Sequence, residues 1–178
     1  LPAALEKWLE VDANLVYQWR PMDVTAIQGK HAATFKTLED GSILAEGENV
    51  RSDIYTIDGR AQKLTGIRLE VLPDDRLPKK GPGRAENGNF VLTDVKILAR
   101  KADSEDEFQP LNIGSALADF SQSNWEIAKA INEDLADGWA VSPEIGKRHV
   151  AVFQLEEPIA LEGGVEFRVI LNQQYETG

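Results

Sequence analysis

At 178 residues, with 42% hydrophobic and 28% charged residues, the chain is long enough to bury a core as a single domain of ordinary globular composition. Its formal net charge of −11 repels phosphate backbones and argues against nucleic acid as a partner. The lack of cysteine removes disulfides, thiolate catalysis and Cys-ligated zinc or haem.

No apolar run approaches the length of a transmembrane helix, so membrane insertion by this segment is not expected. The chain opens on Leu1, which reads as a processed or excised piece of a longer protein.

Leu1, Leu5, Trp8 and Leu9 fall on one helical face and Pro2 suits a first turn, so residues 1–12 are expected to form a short helix or the end of a preceding segment. The period then changes. Residues 13–178 are expected to form one β domain, opening with Leu15, Tyr17 and Trp19 in alternation before Pro21.

From Ile27 to Ile57 the chain reads as short strands and turns. Asp40-Gly41 marks a hairpin and Asp58-Gly59 a second turn. Leu64 to Leu72 places Ile67, Leu69 and Val71 on one face and Arg68 and Glu70 on the other, a half-buried strand. Phe90 to Ala99 alternates in the same way. Lys101 to Gln109, with Asp103, Glu105, Asp106 and Glu107, is expected to be a solvated linker. Ser123-Asn124-Trp125-Glu126 fits a helical capping box, but residues 125–131 also alternate, and their β surroundings favour a strand. Val150–Leu155 and Val165–Leu171 read as two further strands. Short strands punctuated by turn residues predict an all-β sandwich or barrel.

Between the strands ending at Leu72 and beginning at Phe90 lies a long loop containing Gly81-Pro82-Gly83-Arg84-Ala85-Glu86-Asn87-Gly88-Asn89. Its glycines and prolines exclude a helix, and its length suggests a binding loop or a self-packed Ω-loop. Arg84, Asn87 and Asn89 offer one guanidinium and two amides to sugar hydroxyls. Trp139, Trp125 and Tyr55 are candidate rings to stack on a pyranose. The same loop also fits a compact turn that satisfies its own backbone with Arg84, Asn87 and Asn89. An acidic polymer gripped through local positive potential at Lys79, Lys80 and Arg84 is the charged variant of the binding reading.

Asp40-Gly41-Ser42-Ile43-Leu44-Ala45, Thr65-Gly66-Ile67-Arg68-Leu69-Glu70, Gly81-Pro82-Gly83-Arg84 and Gly88-Asn89-Phe90-Val91-Leu92 stand in a distinctive order. Ala118-Asp119-Phe120-Ser121-Gln122 and Gly138-Trp139-Ala140-Val141 continue it. This run resembles a module of large secreted planctomycete proteins that also carry cytochrome-c-like segments and uncharacterised domains. The resemblance implies an extracytoplasmic setting, periplasmic or secreted, within a larger protein, and no particular chemistry.

More distantly, Ala130-Ile131-Asn132 followed by Asp137-Gly138-Trp139 is similar to a turn of discoidin-like (galactose-binding-like) jelly rolls. That likeness implies a jelly-roll β-sandwich with a short N-terminal helix. The turn in that fold often helps to hold a structural Ca2+, here through oxygens of Asn132, Asp134 and Asp137, although Asn132 stands where Asp is usual.

Catalysis is not expected. The two histidines, His31 and His149, read as exposed strand-edge residues, and no nucleophile elbow, phosphate loop or His-Glu-x-x-His occurs. The expected function is a non-catalytic module, resembling carbohydrate-binding modules, that recognises a polysaccharide for its parent protein. The alternative is a structural module that docks other domains of that protein or mediates protein–protein contacts.

Overall fold

A computed structural model of the chain describes residues 19–173. The expected helix over residues 1–12 lies outside the described residues, as does most of the alternating segment before Trp19. Among the described residues the fold is all-β and antiparallel, interrupted only by two short 3-10 segments, Pro78–Lys80 and Ile127–Ile131.

The strands are β1 (Asp23–Gly29), β2 (Ala33–Thr37), β3 (Ile43–Gly47), β4 (Asp53–Ala61), β5 (Leu64–Val71), β6 (Asp94–Lys101), β7 (Gln109–Leu111), β8 (Ile113–Ala118), β9 (His149–Ile159) and β10 (Val165–Gln173). A five-stranded sheet runs in the order β1-β4-β10-β6-β7 and a three-stranded sheet in the order β5-β9-β8, while β2 and β3 form a separate hairpin.

Alternation explains the core. Val165, Phe167, Val169 and Leu171 of β10, with Val95, Ile97 and Ala99 of β6, turn one face of the larger sheet inward. Ala151, Phe153 and Leu155 of β9 and Leu64 of β5 do the same for the smaller. The two inward faces share one cluster, and Phe153 is fully buried within it.

The Asp40-Gly41 hairpin forms as its residues predict: Gly41 is left-handed at φ +83°, and Asp40 accepts hydrogen bonds from the backbone and hydroxyl of Ser42. Asp58-Gly59 does not turn. It lies inside β4, paired with Arg168 and Phe167 of β10. A side chain on Gly59 would come within 2.8 Å of the Phe167 ring, so this glycine makes room for an aromatic from the next strand.

Residues 125–131 are not a strand either. Ile127–Ile131 is a 3-10 turn with Ile127 and Ala130 buried, and it begins at Glu126 without a side-chain cap. Glu126 instead accepts the N–H of Asn124, so the capping box is not used. Phe90–Thr93 is also irregular, apart from a bridge between Leu92 and Trp139.

The outer face of the large sheet carries charge. Arg168 forks onto Asp58 at 2.7 and 2.8 Å, while Glu166 receives both Arg60 and Arg100. The acidic linker is tethered there rather than simply solvated. Phe108 at its end lies 4.5 Å from the Arg100 guanidinium and 4.4 Å from that of Arg168, stacked against both cations.

Asp53, at the head of β4, holds the turn between β1 and β2. Its carboxylate accepts the N–H groups of His31, Ala32 and Ala33 at 3.0, 3.2 and 2.9 Å and that of Ile54 at 2.8 Å. Burial disfavours its charge, but the four N–H donors outweigh burial and hold its pKa below the ordinary value. A depressed folded pKa contributes stability that is present above the unfolded value, about 3.9, and is lost as pH falls through the folded one. The urea midpoint of the wild type should therefore fall more steeply than that of Asp53→Asn between pH 5 and pH 3. Parallel curves would show that Asp53 has no such role. Comparing the pair cancels Asp94, whose burial pushes its carboxyl the opposite way.

Candidate functional site

The loop between β5 and β6 is closed by its own backbone. Leu77 N–H donates to Asp74, Lys80 N–H to Leu77, Gly81 N–H to Pro78, Gly83 N–H to Gly88 and Gly88 N–H to Ala85, at 2.8 to 3.0 Å. Gly81 and Gly83 are there for close approach. A Cβ on either would overlap the carbonyl oxygen of Gly88 or Asn89 respectively. Gly88 has the left-handed φ of +78°, and the segment folds back on itself there.

This frame consumes most of the expected ligand-binding groups. Arg84 turns inward. Its guanidinium donates to the carbonyls of Gly47 and Glu48 at 2.9 and 2.6 Å and to the Tyr55 hydroxyl at 3.2 Å, clamping the loop to the β3–β4 connection. Asn89 is buried, donating to the Gln122 side chain at 3.0 Å and accepting the Val141 N–H at 3.1 Å. Asn87 is exposed, and its oxygen caps the Asn89 N–H at 2.9 Å. Of the three, only Asn87 satisfies the loop's own backbone, as the compact-turn alternative has it; Arg84 and Asn89 are taken up by backbone and side-chain groups distant in sequence.

Trp139 is not a stacking platform. It is fully buried, donates Nε1–H to the Phe120 carbonyl at 2.9 Å and meets Phe90 edge-on at 5.2 Å. Its neighbour Gly138 allows the close approach, since a Cβ there would overlap the Leu92 carbonyl. Tyr55 is also occupied, packed edge-on with Phe35, and Trp125 is half-buried.

The Asn132, Asp134 and Asp137 turn comes together, but not as a cation cradle. Asn132 Oδ1 accepts the Asp134 N–H and Asp134 Oδ1 accepts the Ala136 N–H. Asn132 points its amino group at Asp137 at 3.2 Å, and Lys129 stands 3.5 Å from the other Asp137 oxygen. A Ca2+ needs convergent oxygens. Here those oxygens face N–H donors and an ammonium, so the residues do not fit the ion. No group of three or more His, Cys, Asp or Glu side chains placed to hold a metal occurs among the described residues.

His149 was expected at an exposed edge and is instead buried, because β9 begins beneath Phe120, whose ring is 5.4 Å away. Its Nε2 lies 2.9 Å from the Glu144 carbonyl and its Nδ1 3.4 Å from Asp119. Enclosed in this way, the imidazole offers no reacting atom to a substrate. His31 is exposed.

Two clefts border the loop. The smaller, about 40 Å³, lies between Arg51, Asp53, Tyr55, Arg84 and Asn89 and holds little more than a water, whose share of the liquid is about 30 Å³. The larger is an open groove of about 700 Å³ formed by Pro73, Asp74, Asp75, Arg76, Lys79 and Lys80, with Gly146 contributed from a distant segment. Ligand clefts commonly span about 300–1,000 Å³.

Inside the groove, Arg76 grips Asp74 through Nε and Nη2 at 2.7 and 2.6 Å. This fork, with the Arg76 N–H, lowers the Asp74 pKa to about 2. The sequence singles out the loop and the charge of Lys79 and Lys80, whereas the open groove is lined by the Pro73–Lys80 half rather than by Arg84, Asn87 and Asn89. The runs of charge in Asp74-Asp75-Arg76 and Lys79-Lys80 were the available signal. Gly146 gave none. Compared with family models, curated proteins and solved structures, the chain matches none.

Proposed function

We propose that the chain is a non-catalytic jelly-roll module of a larger extracytoplasmic protein and that it recognises a polysaccharide in the groove of the Pro73–Lys80 half-loop. The observation that carries this reading is the groove itself: an open cleft of ligand size whose walls are carboxylates, a guanidinium and ammonium groups, donors and acceptors suited to sugar hydroxyls. The closed backbone beneath it holds these groups in place without a ligand. The two facing sheets with one core support the sandwich architecture, and the ordered run from Asp40-Gly41 to Gly138-Trp139 supports the planctomycete resemblance.

Gly146 provides the test. A Cβ there meets nothing within 4 Å, so Gly146→Leu should fold normally while placing an isobutyl group in the groove. Affinity electrophoresis against neutral, uronic and sulfated polysaccharides should retard the wild type with at least one class. Gly146→Leu should weaken that retention by about tenfold or more, about 1.4 kcal/mol, at unchanged melting temperature. Retention by no polymer, or undiminished retention of the variant, would overturn the assignment.

One observation favours the docking alternative. Leu117 on β8, an edge strand among the described residues, is 52% exposed beside outward-facing Val152 of β9, an apolar spot of the kind that contact surfaces use.

A further inference from the structure

Resting on the groove reading above, we infer that its ligand is an anionic glycan whose carboxylate or sulfate ester is met by Lys79 and Lys80. The groove holds three cations, and they are not equivalent. Arg76 is committed to Asp74 through two short hydrogen bonds and accepts a third constraint from its own N–H. Lys80 pairs with Asp75 at 3.0 Å, but the two side chains are 73% and 83% exposed, so solvent screens the attraction and a ligand anion can replace Asp75 with little penalty. Lys79 is exposed and has no ion-pair partner among the described residues.

Two adjacent ammonium groups are therefore available on one wall of the cleft. The backbone fixes where the two side chains leave it. Lys79 and Lys80 are both left-handed, at φ 53° and 54°, a conformation disfavoured for residues bearing a Cβ. The Lys80 and Gly81 N–H bonds to Leu77 and Pro78 hold that shape.

The roles then divide by chemistry. An ammonium is a compact charge with three donors and suits either a carboxylate or a sulfate oxygen. When Lys80 turns to the ligand, Asp75 is released to accept from a sugar hydroxyl, while Asp74 stays bound to Arg76. The net charge of −11 opposes a polyanion at long range, so the attraction must be local to this wall, and it should weaken with salt.

The test compares a sulfated polysaccharide with its desulfated form, a polyuronate with its carboxyl-reduced form, and a neutral glucan, by affinity electrophoresis. The variants are Lys79→Asn with Lys80→Asn, which remove charge while tolerating the left-handed backbone, and Lys101→Ala as an exposed cation of β6 outside the groove. The anionic polymers should retain the wild type about tenfold more strongly than their uncharged forms, and the double variant should lose about that factor, while Lys101→Ala stays within about twofold. Preference for sulfate over carboxylate, or the reverse, would name the source of the charge. Equal retention by neutral polymers, with the double variant unaffected, would overturn the anionic assignment and leave glycan recognition standing. Equal losses in the double variant and Lys101→Ala would overturn it in favour of diffuse electrostatics. Retention by no polymer would remove the glycan reading and this inference together.

Discussion

Trp139→Ala should lower stability by about 3–5 kcal/mol, the range for deleting a large buried aromatic. The indole is fully buried at the centre of the core. Its Nε1–H bond to Phe120 and its edge contact with Phe90 join the segment after β8 to the exit of the long loop. Trp139 and Leu92 also exchange both backbone hydrogen bonds at 2.9 Å. Collapse around the missing ring would disturb that bridge as well. Trp139→Phe keeps much of the packing and leaves the Phe120 carbonyl without its donor, so its loss should be smaller, about 1–2 kcal/mol. Urea unfolding gives both values from the midpoint and slope. A loss below about 1 kcal/mol for Trp139→Ala, accompanied by lost polysaccharide retention, would return the ring to the role of a stacking platform.

Gly83→Ala is the second large effect. The added methyl would be driven into the Asn89 carbonyl, with the Asn89 carbonyl carbon and the Phe90 nitrogen just behind it. All three are backbone atoms, so no side chain can swing aside. The strand of loop from Gly81 to Arg84 must lift away. That breaks the Gly83–Gly88 bond, pulls Arg84 from its carbonyls and withdraws Asn89 from Val141. Overpacking typically costs about 1–3 kcal/mol and occasionally more, and this site should fall at the upper end. Gly146→Ala, where the methyl enters open space, should change stability by less than about 0.5 kcal/mol. Similar melting curves for Gly83→Ala and Gly146→Ala would mean that the loop is not packed as described.

Much of the fold was legible because strands announce themselves locally. The alternation of Ile67, Leu69 and Val71 placed β5, and Val165 to Leu171 placed β10, since period two is a property of the segment itself. The left-handed glycine at Gly41 is equally local. What was not legible depended on a partner far along the chain. Asp58-Gly59 has the residues of a turn, and only Phe167 and Arg168, brought alongside by β10, make it a strand. Ile127–Ile131 alternates like a strand but pairs with none among the described residues, and it closes as a 3-10 turn whose buried side chains are Ile127 and Ala130.

The site divides along the same line. Arg84 and Asn89 have the right chemistry for a ligand, but most of their partners are carbonyl and N–H groups that every residue carries, and the Tyr55 hydroxyl and Gln122 amide are brought to them only by the fold. His149 was misplaced because the ring covering it belongs to Phe120, twenty-nine positions earlier. The charges of Asp74 to Lys80 were visible, whereas their arrangement as a groove depended on a short 3-10 segment and on Gly146.

The backbone-closed loop has one more consequence, for the entropy of recognition. A flexible binding loop must surrender its conformational freedom when a ligand arrives, and part of the contact energy is spent on that ordering. In this loop the freezing is completed during folding, by hydrogen bonds between Asp74 and Gly88 and by the Arg84 clamp to Gly47 and Glu48. Only the exposed lysine side chains remain to be ordered at the groove. For the ligand proposed above, the ordering of the loop backbone would therefore not count against binding.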